Sequence, residues 1–90
     1  MRPGTEEFEH ARTLIAERIR VLRLEKGFSQ ERLADLAGCD RTYIGMLERK
    51  QGNPSLLVLT AIAHALGEHV ERLVGATPES SGEPAPSEPQ

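Results

Sequence analysis

The chain has no tryptophan and few aromatics, so its core must be built from Leu, Ile, Val and Ala. Its single cysteine, Cys39, excludes an internal disulfide and a zinc site built on several cysteines. A reducing, cytoplasmic setting is therefore expected. No apolar run is long enough to span a bilayer, so no membrane partner is expected. The opening stretch "MRPGTEEFEH" is acidic and lacks an apolar h-region, so it does not read as a signal peptide. His10, His64 and His69 share no ligand spacing with other donors, and no metal or cofactor is expected. Ser29 and Ser55 have no nearby base, and the carboxylates show no shared pocket. No convergent catalytic set is visible, and a chain of this length has little room for a deep pocket, so an enzyme is not expected.

What is present is a chain of 90 residues, enough for one small domain at most. The net charge of −3 argues against nucleic acid until its distribution is considered. From Gly75 onward the chain carries Glu79, Glu83 and Glu88 and no base, whereas residues 13–53 hold eight basic and six acidic side chains. Acid is segregated to the ends, and local potential matters more at a contact than the whole-chain sum. The segment 76–90 is rich in Pro, Ser and Glu and is expected to be a disordered acidic tail. Residues 1–12 are expected to be an N-terminal arm or an extension of the first helix, and residues 13–75 the folded domain.

Every folded segment reads as helix. Thr5 caps a first helix in which Phe8, Ala11, Ile15, Ile19 and Leu22 form the inward stripe, ended by Gly27. Ser29 caps a second helix with Leu33, Leu36 and Ala37 inward, stopped by Gly38. Asp40 caps a third, Arg41 to about Lys50, anchored by Ile44 and Leu47. "QGNPS" is a loop. Ser55 caps a fourth helix with Leu56, Leu59, Ile62, Ala63 and Leu66 inward. A short fifth, "EHVERLV", ends at Gly75. The expected fold is all-α, a compact five-helix domain.

Helices two and three are joined by a short turn containing Gly38, which is a helix-turn-helix pattern. On the third helix, at about 100° per residue, Thr42, Gly45, Met46 and Arg49 share the side opposite Ile44 and Leu47, with Arg41 able to join them. Gly and Thr favour helix less than the residues usual on a solvated face. A bare Gly45 would let another surface come close. Arg41 can donate two hydrogen bonds to guanine, and Thr42 and Met46 can touch a thymine methyl or base edge in the major groove of double-stranded DNA. Arg49, Lys50 and Gln30 are placed for phosphates, the last with the free N–H groups opening its helix. Tyr43 borders the inward side; it either packs or sets its hydroxyl on a phosphate. Cys39 reads as a small turn residue, since redox sensing would need a lowered pKa.

Ser29 to Gly67 resembles the phage-repressor/Cro (XRE) helix-turn-helix family. The resemblance rests on "SQ" at Ser29–Gln30, "LA" at Leu33–Ala34, "RTYI" at Arg41–Ile44, "LE" at Leu47–Glu48, "NPS" at Asn53–Ser55 and "ALG" at Ala65–Gly67, with Arg23 and Gly27 ahead of them. It implies a lambda-repressor-like five-helix fold, dimeric operator binding and transcriptional regulation. It also implies phosphate contact by Gln30, base reading by Arg41, Thr42 and Met46, and a structural Arg23–Glu48 pair. One departure stands out. The family usually has Gly directly after "ER", and here Lys50 and Gln51 intervene before Gly52.

A second apolar face is expected where Leu57, Val58 and Ala61 on the fourth helix meet Val70 and Val74 on the fifth. A two-fold dimer would bury it and set two third helices in successive major grooves, about 34 Å apart, on an inverted repeat. The roles open to such a regulator are restriction–modification controller, phage-type repressor or antitoxin of a toxin–antitoxin pair, with RNA polymerase or a toxin as protein partner. DNA binding would associate it with the nucleoid. An interaction adaptor that docks its third helix in a protein groove is the rival reading.

Overall fold

The computed structural model describes residues 4–75, so the expected acidic tail, 76–90, lies outside the described residues, as do residues 1–3. Five helices follow in order: α1 (Thr5–Glu25), α2 (Gln30–Ala37), α3 (Arg41–Glu48), α4 (Leu56–Ala65) and α5 (Glu71–Val74). No strand occurs among the described residues.

Local chemistry sets the starts of α2, α3 and α4. Ser29 accepts from Arg32 N at 2.9 Å, Asp40 Oδ1 from Thr42 N at 2.9 Å, and Ser55 from Val58 N at 3.1 Å. Each side-chain oxygen satisfies an amide that the helix cannot. At α1 the expectation is corrected. Gly4, at φ 87°, holds the cap place, and Thr5 is the first helical residue.

Around Ile19, Leu33, Ile44, Ile62, Leu66 and Leu73, all fully buried, the helices close one core. Helix α2 packs on both α3 and α4, and α1 packs on α3 and α5. The sequence pattern misplaces several apolar side chains. On α1 Ile19 and Leu22 are buried as expected and Ala16 joins them, while Phe8 is 41% exposed and Ala11 also faces out, because the first two turns run past the core. On α2 the burial of Leu33 and Ala34 centres the inward face between them; Leu36 lies about 110° from that centre and is exposed. Leu56, in the first turn of α4, is 66% exposed. Helix α5 is a single turn, shorter than expected, and Leu73 is its core residue.

Two arginines of α1 hold distant backbone. Arg18 Nη1 donates to the carbonyls of Leu73 and Gly75, which fastens α5 to α1, and its Nη2 is buried with no partner among the described residues. Arg12 stacks over Phe8 at 5.1 Å and reaches the Gly52 carbonyl at 3.4 Å, bracing the loop after α3. The sequence pattern signals neither.

Candidate nucleic-acid interface

Helix α3 is anchored by Ile44 and Leu47, both buried, so its other side is available. Its orientation is fixed by a buried ion pair. Arg23 Nε meets Glu48 Oε2 at 2.6 Å, and Arg23 Nη2 donates to Glu48 Oε1 at 3.0 Å. Nη1 of the same guanidinium donates to the Phe28 carbonyl at 2.8 Å. The side chains keep only 11% and 5% of their exposure, so this is the structural pair that the resemblance implied and not a solvated contact. Hydrogen bonding to Glu48 raises the already high pKa of Arg23, against the opposing pull of burial. Gln30 joins the cluster, its Nε2 donating to Glu48 Oε1 at 3.1 Å. Thus α1, α2 and α3 are locked together at one point.

The candidate residues fall into three groups. Arg41, Thr42, Arg49 and Lys50 are exposed. Met46 is half-buried, its Cε lying 3.8 Å from where a Cβ of Gly52 would stand, so the side chain lies along the loop that follows α3. Tyr43 is half-buried and packs on the core; burial, with a smaller effect from Cys39, raises its pKa. Gly45 corrects the expectation of a bare surface. It is buried, because Arg49 Nη1 and Gln30 Oε1 lie 3.2 and 3.5 Å from where its Cβ would be. The missing side chain makes room for the protein's own polar groups.

Helix α3 ends earlier than the expected Lys50. Gln51 N bonds to Met46 O at 2.9 Å and Lys50 N to Leu47 O at 3.0 Å, a Schellman closure with Lys50 in the left-handed region at φ 65°. The departure seen in the sequence is therefore a lysine standing where a glycine would close the helix. At the turn, burial and then Asp40 raise the pKa of Cys39, which holds the thiol protonated and works against the lowered pKa that redox sensing needs.

The second face is uneven. Leu57 is 80% exposed and Val74 44%, while Ala61 is half-exposed. Val58 and Val70 already pack partly on the core. Leu57 stands about 170° from the centre of the buried side of α4, so the packing of the described helices leaves it uncovered.

Comparison with known proteins agrees with this geometry. A family model described as helix-turn-helix matches residues 19–73. The control protein C.SmaI of Serratia marcescens is 40% identical over 67 residues, covering 74% of this chain and 80% of that protein. The immunity repressor of Bacillus phage phi105 is 41% identical over 61 residues, covering 68% of this chain and 42% of the repressor. The crystal structure of the restriction-modification controller protein C.AhdI from Aeromonas hydrophila superposes with a TM-score of 0.67 at 44% identity, covering 69% of this chain and 94% of the controller.

Proposed function

The chain belongs to the XRE-type helix-turn-helix family of DNA-binding transcriptional regulators, and we propose that it acts as a homodimer on an inverted-repeat operator, as a restriction–modification controller or phage-type repressor. The observation that carries this reading is the exposed start of α3, where Arg41 and Thr42 stand free on a helix whose other side is buried and whose end is clamped by Arg23 and Glu48. A rigid helix with a free Arg at its first turn suits insertion into a major groove.

In this reading Arg41 selects guanine and Thr42 touches the neighbouring base, while Met46 contributes only the edge it leaves exposed. Phosphates are held by Lys50, by the second Nε2 hydrogen of Gln30, and by the N–H groups opening α2. Tyr43 supports α3 from within and reaches a phosphate only through its hydroxyl. Leu57, Ala61 and Val74, with Val58 and Val70 beneath them, form the two-fold seam. The protein then works in the cytoplasm on nucleoid DNA.

Selection of binding sites from random duplexes tests this directly. The expected product is a palindrome bound with affinity that falls steeply with salt. In that assay Arg41→Ala lowers affinity for the recovered site by about 1–3 kcal/mol and spares unrelated duplexes. Recovery of an asymmetric site would remove the homodimer, and equal losses on both kinds of DNA would leave Arg41 as an electrostatic contact only.

A further inference from the structure

Arg49 caps the C-terminal end of α3, one residue past Glu48, and its side chain turns back along the helix. Its Nη1 lies 3.2 Å from where a Cβ of Gly45 would stand, four residues and one turn earlier. Helical side chains lean toward the N-terminus of their helix, so this is the direction open to it. Gln30 Oε1 reaches the same spot from α2, 3.5 Å from that Cβ position. The amide cannot turn the other way: its Nε2 is held by Glu48, and an ionised carboxylate only accepts. An acceptor oxygen and a guanidinium therefore converge over the middle of the helix.

We propose that Arg49 is a specificity-determining residue that reads a base edge beside Thr42, rather than the phosphate contact its place in the sequence suggested. The proposal rests on the reading that α3 enters the major groove. Seven residues separate Thr42 from Arg49, which puts the two within about 20° of each other around the helix, at the centre of the open face. The backward turn brings the guanidinium down to the level of Gly45, within about one turn of Thr42 along the axis. A planar fork of donors there matches the O6 and N7 acceptors of guanine. It also gives Gly45 a purpose. Gly is the poorest helix former after Pro, and a phosphate contact at the helix end would not need one in the middle. A Cβ at position 45 would stand 3.2 Å from Nη1, so the guanidinium would have to shift from where it lies to make room.

The test uses the duplex selected by the wild-type protein from random sequence and a shuffled duplex of equal length. Both are titrated by fluorescence anisotropy over a series of salt concentrations, with folding followed by circular dichroism. Arg49→Lys keeps the charge and removes the fork. It is expected to lower the selected-to-shuffled affinity ratio about tenfold or more. Gly45→Ala is expected to raise the melting temperature while lowering the same ratio, because the added methyl improves the helix and pushes the guanidinium off its resting place. The two quantities moving in opposite directions is the signature. An undiminished ratio in either variant overturns the proposal. So does Arg49→Ala weakening both duplexes equally with a shallower salt slope, since that describes a phosphate contact. Arg41→Ala, measured alongside, separates the premise from the proposal. A ratio that collapses in Arg41→Ala and holds in Arg49→Lys overturns the role of Arg49 alone, and a wild-type protein that prefers no duplex overturns both.

Discussion

Replacing Lys50 by glycine should make this domain more stable and a weaker binder of all DNA. Helices α1, α2, α3 and α4 close with the same pair of backbone hydrogen bonds, and the residue in the left-handed position is Gly27, Gly38, Lys50 and Gly67 in turn. Three of the four have no Cβ to clash with the following carbonyl; Lys50, at φ 65°, has one. An L-residue in that region costs about 1–2 kcal/mol. Glycine returns part of this, about 0.4–1 kcal/mol, through the greater freedom of the unfolded chain. The net expectation for Lys50→Gly is a gain of about 0.5–1 kcal/mol, or about 2–8 °C in melting temperature for a domain of this size. Thermal unfolding followed by circular dichroism measures it. A companion titration of DNA against salt should show the slope of log K against log [salt] fall in magnitude by about 0.9 for each phosphate that Lys50 no longer neutralises. A melting temperature that stays put or falls would show that the lysine side chain repays its backbone cost within the folded protein, and the strain argument would fail.

The Arg23–Glu48 pair lends itself to a double-mutant cycle. Glu48→Ala strands a buried guanidinium and frees Gln30, and should cost about 3–5 kcal/mol in urea denaturation, whereas Arg23→Met with Glu48→Leu should recover much of it. Equal losses in the single and double variants would mean that packing, not charge, governs the site. Leu57→Glu should convert the proposed dimer to a monomer in analytical ultracentrifugation without lowering the melting temperature of the monomer, since the side chain is 80% exposed. An unchanged mass would remove the seam. Cys39 and Tyr43 both have raised pKa values in the folded state, so the neutral forms are favoured there and the associated stability is intact below their unfolded pKa values, about 8.5 and 10. Stability should therefore decline as pH rises through the alkaline range, and Cys39→Ala should flatten the earlier part of that decline. Alkylation of Cys39 at pH 8 should also run slower than that of a free thiol.

Much of this fold was readable because its signals are local. Ser29, Asp40 and Ser55 each accept from the amide two or three residues on, and such a bond depends on nothing beyond its own turn. The glycine stops are local in the same way. The Arg23–Glu48 pair spans 25 residues, and it was legible only through the family resemblance, since neither residue type by itself announces a buried partner. Arg12 and Arg18 had no such help. Their bonds run to carbonyls 40 and 57 residues away, and backbone carbonyls carry no sequence signature. Leu36 and Leu56 show the limit of periodicity from another side. Apolar spacing gives a stripe, but which edge of it is buried depends on neighbours that the pattern does not contain. Gly45 failed for the most specific reason. Its spacing put it toward the open side of α3, yet what covers it is decided by the rotamer of Arg49 and by the amide orientation of Gln30, which Glu48 sets from the far side of the cluster.

Both departures from good helix design fall on the same eight-residue helix. Gly45 costs it about 1 kcal/mol against alanine, and Lys50 costs about as much again at its close. Elsewhere the helices are capped with glycine stops, so the chain is not careless of local stability. A helix this short would not hold in isolation. It is held by Ile44 and Leu47 in the core, by Asp40 at its start and by the Arg23–Glu48 clamp at its end. That support lets the open face be chosen for something other than stability. A position that violates a local rule and is held by its surroundings marks function more often than accident. Here the two violations flank one side chain, Arg49, with Gly45 giving its guanidinium a place to lie and Lys50 closing the helix directly behind it. If both residues can be replaced by better helix formers or stops with no loss of discrimination between duplexes, that reasoning fails at its root. If stability rises and discrimination falls, the third helix has been shaped against its own stability for contact with a base pair.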